Sequence, residues 1–173
     1  KLTTVAKNTQ NIDELRKRGF TFLQAGNWES AKNIFAEVLL IQPKDTLSIY
    51  GKALALFNLK EYLESEAAIK SGSAILEKNL ENNQLLADFL VLSAVISAVQ
   101  NANSAAIQKL EKAIGLAPNH FDANFSLGRA YFGNSEIDKA VASFQKATEI
   151  QPQNARAKFF LATALERSGK VAE

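Results

Sequence analysis

Residues 121–154 read FDANFSLGRAYFGNSEIDKAVASFQKATEIQPQN, and this stretch decides the architecture. Leu127, Gly128 and Tyr131 recur at spacings of three and four, which puts them on one face of a helix. Gly133-Asn134-Ser135 interrupts that helix. Ser135, followed three residues later by Asp138, has the form of a capping box with Asp in the place of Glu, so Ser135 is expected to cap the next helix. Ala140, Phe144 and Ala147 mark one face of that second helix. Pro152, which has no backbone N–H to donate and clashes inside a helix, ends the unit.

The unit recurs along the chain. LLIQPKD at 39–45, IGLAPNH at 114–120 and TEIQPQN at 148–154 end alike, and Pro118 and Pro152 stand 34 residues apart. Blocks of that length cover 12–45, 46–79, 87–120 and 121–154, with an insertion at 80–86 and a partial fifth block at 155–173. Residues 1–11 read as an N-terminal tail or the end of a preceding helix. Block one repeats the pattern with Leu15, Gly19 and Phe22, a break at Gly26-Asn27-Trp28 with Asn27 as the expected cap, then Ala31, Phe35 and Val38. Block two has Glu77 where the others have proline, so its second helix is expected to run one or two turns longer; a short loop at 79–83 is the alternative. A period of this length denotes a stacked array in which no unit buries its apolar face alone.

Composition narrows the function. Of 173 residues, 47% are hydrophobic and 22% charged, the balance of a folded protein. Twenty Lys and Arg against 18 Asp and Glu leave a net charge of +2, which gives no reason to expect nucleic acid or an acidic membrane surface as the partner. Cysteine is absent and His120 is the one histidine, which removes disulfides, thiolate metal sites, cysteine nucleophiles and histidine clusters. His120 is expected to be a surface or capping residue. Pairs such as Glu64 with Glu66, or Glu136 with Asp138, stand at helix starts, where carboxylates complement the helix dipole. No phosphate-binding glycine loop or serine–histidine constellation is present, so the chain is expected to be no enzyme and to need no cofactor or metal. The apolar run from Leu85 to Val99 carries Asp88 and is shorter than the roughly 20 residues that span a bilayer. The chain lacks methionine even at position 1, and reads as a piece of something longer. KLTTVAKNTQ has no apolar signal core, so the compartment is open, with the cytoplasm favoured.

These blocks resemble the tetratricopeptide repeat (TPR) family, whose unit is a 34-residue helix–turn–helix. The family places small residues at block positions 8, 20 and 27, where its helices cross closely. Those positions hold Gly19, Ala31 and Val38; Ala53, Ser65 and Gly72; Ala94, Ala106 and Ala113; and Gly128, Ala140 and Ala147, with Ala162 at position 8 of the partial block. Val38 is the misfit. Bulky partners at positions 11 and 24 are Phe22 with Phe35, Leu56 with Ile69, and Tyr131 with Phe144; in block three Leu110 complies and Ser97 does not. The resemblance implies an all-α fold of about four full repeats plus a partial fifth, stacked as a right-handed α-solenoid.

The resemblance also implies where a ligand binds. In the family, positions 2, 5, 9 and 12 of each first helix line the inner face of the superhelix. The apolar members here are Phe20 and Leu23; Tyr50, Leu54 and Phe57; Val91 and Val95; Phe125 and Phe132; and Phe159. Polar members include Asp13, Arg16, Asp88, Asp122, Arg129, Arg156 and Glu166. Tyr50, Phe57, Phe125 and Phe159 are the expected anchors, with Arg129 and Arg156 placed to pair with a carboxylate. Arg16 stands at the first basic position of the family's chaperone-tail clamp, but Phe20, Gly51, Asp88 and Leu92 depart from the rest of it, which argues against that ligand. The remainder of the basic run Arg16-Lys17-Arg18 reads as a solvated helix face.

The function expected is therefore a protein–protein interaction scaffold that holds a partly apolar peptide or helix. The alternative is a structural array whose groove is filled by residues 1–10, a neighbouring domain or a second copy of the chain. A third reading makes the array an appendage of a larger enzyme or secretion apparatus.

Overall fold

A computed structural model describes residues 2–79 and 82–169, with side chains from 11 to 78 and from 82 to 169. The side chains of residues 1–10, suggested above as a groove filler, and residues 80–81 of the insertion lie outside the described residues. Among the described residues there are nine α-helices and no strand, divided between two compact units. Within residues 1–81 are α1 (Leu2–Gln24), α2 (Trp28–Ile41), α3 (Thr46–Asn58) and α4 (Tyr62–Asn79). Within residues 82–173 are α5 (Asn83–Val99), α6 (Asn103–Leu116), α7 (Phe121–Gly133), α8 (Ile137–Ile150) and α9 (Ala155–Arg167). In the first unit α1 pairs with α2 and α3 with α4, while α2 also packs on α3. In the second, α5 pairs with α6 and α7 with α8, α6 packs on α7, and α9 covers α8. The fold is thus all-α, built of helix–turn–helix repeats. Residues 2–11 are part of α1 rather than a tail.

One turn joins the helices of every pair. Gly26, Lys60, Asn101 and Ser135 occupy the same place in their blocks and share a left-handed backbone, with φ of 74°, 65°, 61° and 61°. The residue after each returns its N–H to the helix just ended: Asn27 to Phe22 O at 2.8 Å, Glu61 to Leu56 O at 2.9 Å, Ala102 to Ser97 O at 2.9 Å, and Glu136 to Tyr131 O at 2.9 Å. This closure satisfies carbonyls that a helix end leaves free. It also corrects two sequence expectations. Ser135 lies inside the turn and does not cap α8, whose N-cap is Glu136. Asn27 holds the N-cap position of α2, but its side chain makes no capping hydrogen bond.

Side-chain caps stand at the other junction, between repeats. Asp45 accepts from Ser48 N at 2.8 Å, Asn82 from Leu85 N at 3.0 Å, His120 from Ala123 N at 3.2 Å and Asn154 from Ala157 N at 3.1 Å. Three of these caps are extended, with ψ of 97° to 111° at Asp45, His120 and Asn154, which turns the side chain back over the first amides. His120 is a cap but not a surface residue: it is 3% exposed, and its Nε2 lies 2.8 Å from Asp88 Oδ1. Because Nδ1 accepts a backbone N–H, the proton sits on Nε2 and is donated to Asp88.

The insertion extends the helices on both sides of it. α4 has 18 residues where α2, α6 and α8 have 14, and α5 has 17 where α3, α7 and α9 have 13. Each helix gains about one turn.

Small and large residues interlock as the resemblance implied. Phe35 and Phe144 are fully buried, and a Cβ added at Gly128 would come within 2.6 Å of the Phe144 ring. Val38, the misfit at a small position, is buried against Ile12 and Leu15 of the long α1. Ser97 is 6% exposed, and the Lys109 ammonium fills its place by donating to Ser97 Oγ at 2.9 Å and Ser93 Oγ at 2.5 Å.

Tyr131 makes a measurable signature of this core. Its hydroxyl donates to Glu111 Oε1 at 2.7 Å, and burial first, then that hydrogen bond, push its pKa from 10.0 up to about 12. A raised acid contributes stability that is complete below the unfolded value and is lost as pH climbs through the folded one. Between pH 10 and 12 the wild type should therefore lose up to about 2 kcal/mol that Tyr131→Phe does not lose, read from urea midpoints of the two proteins. Parallel alkaline curves would show that this hydroxyl is not held protonated.

Candidate protein-binding surface

The inner-face positions of successive first helices come together within each unit. In the first, Phe20 is half-buried and sets its ring edge-on to Phe35, centroids 5.0 Å apart. Phe20, Leu23 and Gln24 of α1, Trp28 of α2, and Leu54 and Asn58 of α3 line an open depression of about 320 Å³. Tyr50 and Phe57 are half-buried on α3, with Phe57 5.9 Å from the Tyr62 ring. Arg16 is removed from ligand duty, since its guanidinium lies 2.5 Å from Asp13 and 3.8 Å from the α3 cap, Asp45.

In the second unit a depression of about 290 Å³ opens between α5, α6 and α7. Val95 and Arg129 line it, with Ala98, Val99, Ala130 and Gly133 among their neighbours. Position 12 of the block, Leu23 in α1, Phe57 in α3 and Phe132 in α7, is Ala98 in α5, so that position adds only a methyl group to the wall. Val91 is half-buried and packs toward Ala87, Ala113 and Ala123.

Phe125 is a core residue, which corrects its assignment as an anchor. It is 5% exposed, stacked on Phe121 at 5.8 Å and enclosed by Phe144 at 5.7 Å and Phe160 at 5.4 Å. Arg156 lies over the same ring at 4.9 Å, a cation–π contact that seals it. Phe159, at the equivalent position of α9, is 66% exposed. Phe132 is half-buried under Arg167, 5.0 Å from its ring.

Sequence reasoning missed Trp28, Ala98 and Arg167. Trp28 stood beside a turn and Arg167 just past the stripe, so neither shares the inner-face register. Ala98 matters by what it lacks. Among the described residues no group of three or more His, Asp or Glu is placed to hold a metal, and no helix is long and apolar enough to cross a membrane.

Comparison with known proteins agrees with this geometry. The tetratricopeptide repeat family model matches residues 98–155 and again 125–173. Interferon-induced protein with tetratricopeptide repeats 3 of Mus musculus is 27% identical over 139 residues, 80% of this chain and 33% of its own length. Anaphase-promoting complex subunit 3 of Schizosaccharomyces pombe is 22% identical over 156 residues, 90% of this chain and 22% of its own. The chain spans a third or less of the length of these relatives. Among solved structures, Pseudomonas aeruginosa pilF superposes with a TM-score of 0.78 at 19% identity, over 95% of this chain and 72% of that one, a likeness of fold alone. With the 34-residue period, the interlocked small and large positions and the repeated helix pairs all in place, this chain belongs to the tetratricopeptide repeat family.

Proposed function

We propose that this chain is an interaction scaffold that binds a partly apolar peptide or helix through the inner-face residues of its first helices. Proteins of this family generally mediate protein–protein interactions. Phe20, Tyr50, Leu54 and Phe57 would contact a ligand in the first unit, and Val91, Val95, Arg129, Phe132, Arg156 and Phe159 in the second. The observation that carries the reading is a recurrence: in each unit an open depression lies on the same register, lined by successive first helices, α1 with α3 and α5 with α7. Phe159, a large ring two-thirds exposed at position 5 of its block, adds apolar surface among the inner-face positions. Anaphase-promoting complex subunit 3 is by name a component of an assembly, which suits the same class of role.

Selection of a phage-displayed library of random 15-residue peptides on the intact chain tests this. Enriched peptides should be partly apolar, bind with weak salt dependence, and lose about tenfold or more in affinity to Phe57→Ala and Phe159→Ala, with folding checked by melting. Phe125→Ala is unsuitable, because it opens the core. Failure of any sequence to enrich, or equal binding to both variants, would refute the reading.

A further inference from the structure

We infer that the depression between α5, α6 and α7 is a specificity pocket: it receives one apolar side chain of the peptide, while Arg129 pairs with a carboxylate one helical turn away. The inference rests on the peptide-binding reading and names the chemistry of the peptide.

The pocket is a vacancy of shape. Its volume of about 290 Å³ is near ten times the roughly 30 Å³ share of one water. The walls are mostly Ala, Val and Leu side chains, which give water few hydrogen bonds. At the corresponding register the α1–α3 depression has Leu23 in its wall, whereas here Ala98, with Ala94 and Ala106 beside it, cuts the wall back to methyl groups. An apolar side chain from outside would pack against these small walls, and Val99, 50% exposed, stands beside the opening.

Charge selects the second feature. Arg129 lines the pocket, is exposed, and has no ionic or hydrogen-bonding partner among the described residues. Three acidic groups of this unit are engaged elsewhere, Asp88 with His120 at 2.8 Å, Glu111 with Tyr131 at 2.7 Å and Glu136 with Lys139 at 2.6 Å, and the inner-face acids Asp122 and Glu166 make no ion pair with Arg129. Arg156 and Arg167 lie over the rings of Phe125 and Phe132. A carboxylate brought to Arg129 by a docked peptide would meet a planar donor fork at an apolar rim, where a charge-assisted bond is strong. Since Arg129 itself forms part of the wall, an acid paired with it and the inserted side chain would come from neighbouring turns, as residues three or four apart on a helix do, with about 5–6 Å between their Cβ atoms.

The test repeats the random 15-residue peptide selection on the intact wild type, then measures the winners, as soluble end-blocked peptides, against Ala98→Phe and Arg129→Gln. Winners should carry an apolar residue three or four positions from Asp or Glu. Their affinity should fall at least about tenfold on Ala98→Phe and about fivefold on Arg129→Gln. Converting the peptide's acid to its amide should cost about fivefold on wild type and nothing further on Arg129→Gln. Winners that lack this pair, or that bind both variants as tightly as wild type yet lose affinity to Phe159→Ala, overturn the pocket and leave the binding surface standing. No enrichment at all overturns both. If Ala98→Phe does not melt as a folded protein, the Arg129→Gln cycle, on an exposed side chain, decides.

Discussion

Phe35→Ala should destabilise the first unit by about 4 kcal/mol, in the middle of the range for buried aromatics. The ring is fully buried, and its tip lies where a Cβ on Gly19 would come to 2.7 Å and one on Gly51 closer still. It therefore touches the backbones of α1 and α3 directly. Removing it leaves a cavity walled by two helices with no side chain at those points to fall in, so relaxation recovers little. The converse change, Gly51→Ala, forces a methyl into a rigid ring and should cost about 2 kcal/mol or more. Urea denaturation of the intact chain, followed by its helical signal, measures both. A cost under about 1.5 kcal/mol for Phe35→Ala would mean that the helices do not meet this closely.

Deleting residues 155–173 should cost the second unit several kcal/mol, at least about 3. The rings of Phe160 and Phe144 lie 5.5 Å apart, those of Phe160 and Phe125 5.4 Å, and Ala157 and Ala164 are fully buried. Without α9, the side of α8 that it covers and the face of Phe125 open to water. In a repeat array the loss is approximately one neighbour-interface term, set by the apolar area exposed at about 25 cal/mol per Å². An unchanged urea midpoint would mean that α9 is not docked on α8.

Much of this was legible beforehand, for a local reason. Proline at a fixed phase, glycine or alanine where helices cross, and a bulky residue beside each are properties of single positions. A 34-residue period lets them be compared block by block. The longer α4 was legible too, because Glu77 replaces the proline that would stop it. The caps were read less well. Asn27 and Ser135 have the right side chains, but the left-handed residue in each turn closes the preceding helix through backbone bonds, so neither side chain caps the helix that follows. Ser97 looked like a packing fault until Lys109, 12 residues on, was found donating to it.

Phe125 and Phe159 mark where sequence stops and tertiary structure begins. Both hold position 5 of their blocks, and their own helices differ beside them in Phe121, which stacks on Phe125 where α9 has Ala155. Phe125 is buried because Phe144 of α8 and then Phe160 and Arg156 of the next repeat close over it, while Phe159 remains 66% exposed. The opening beside Ala98 likewise depends on Ala130 and Gly133, which α7 brings across from it. The helices, their pairing and the repeat period follow from spacing along one chain, because helix formation and close crossing depend on residues within about 34 positions. Burial depends on which atoms of other repeats stand over a side chain, so only the tertiary structure decided which inner-face residues remain open to a partner.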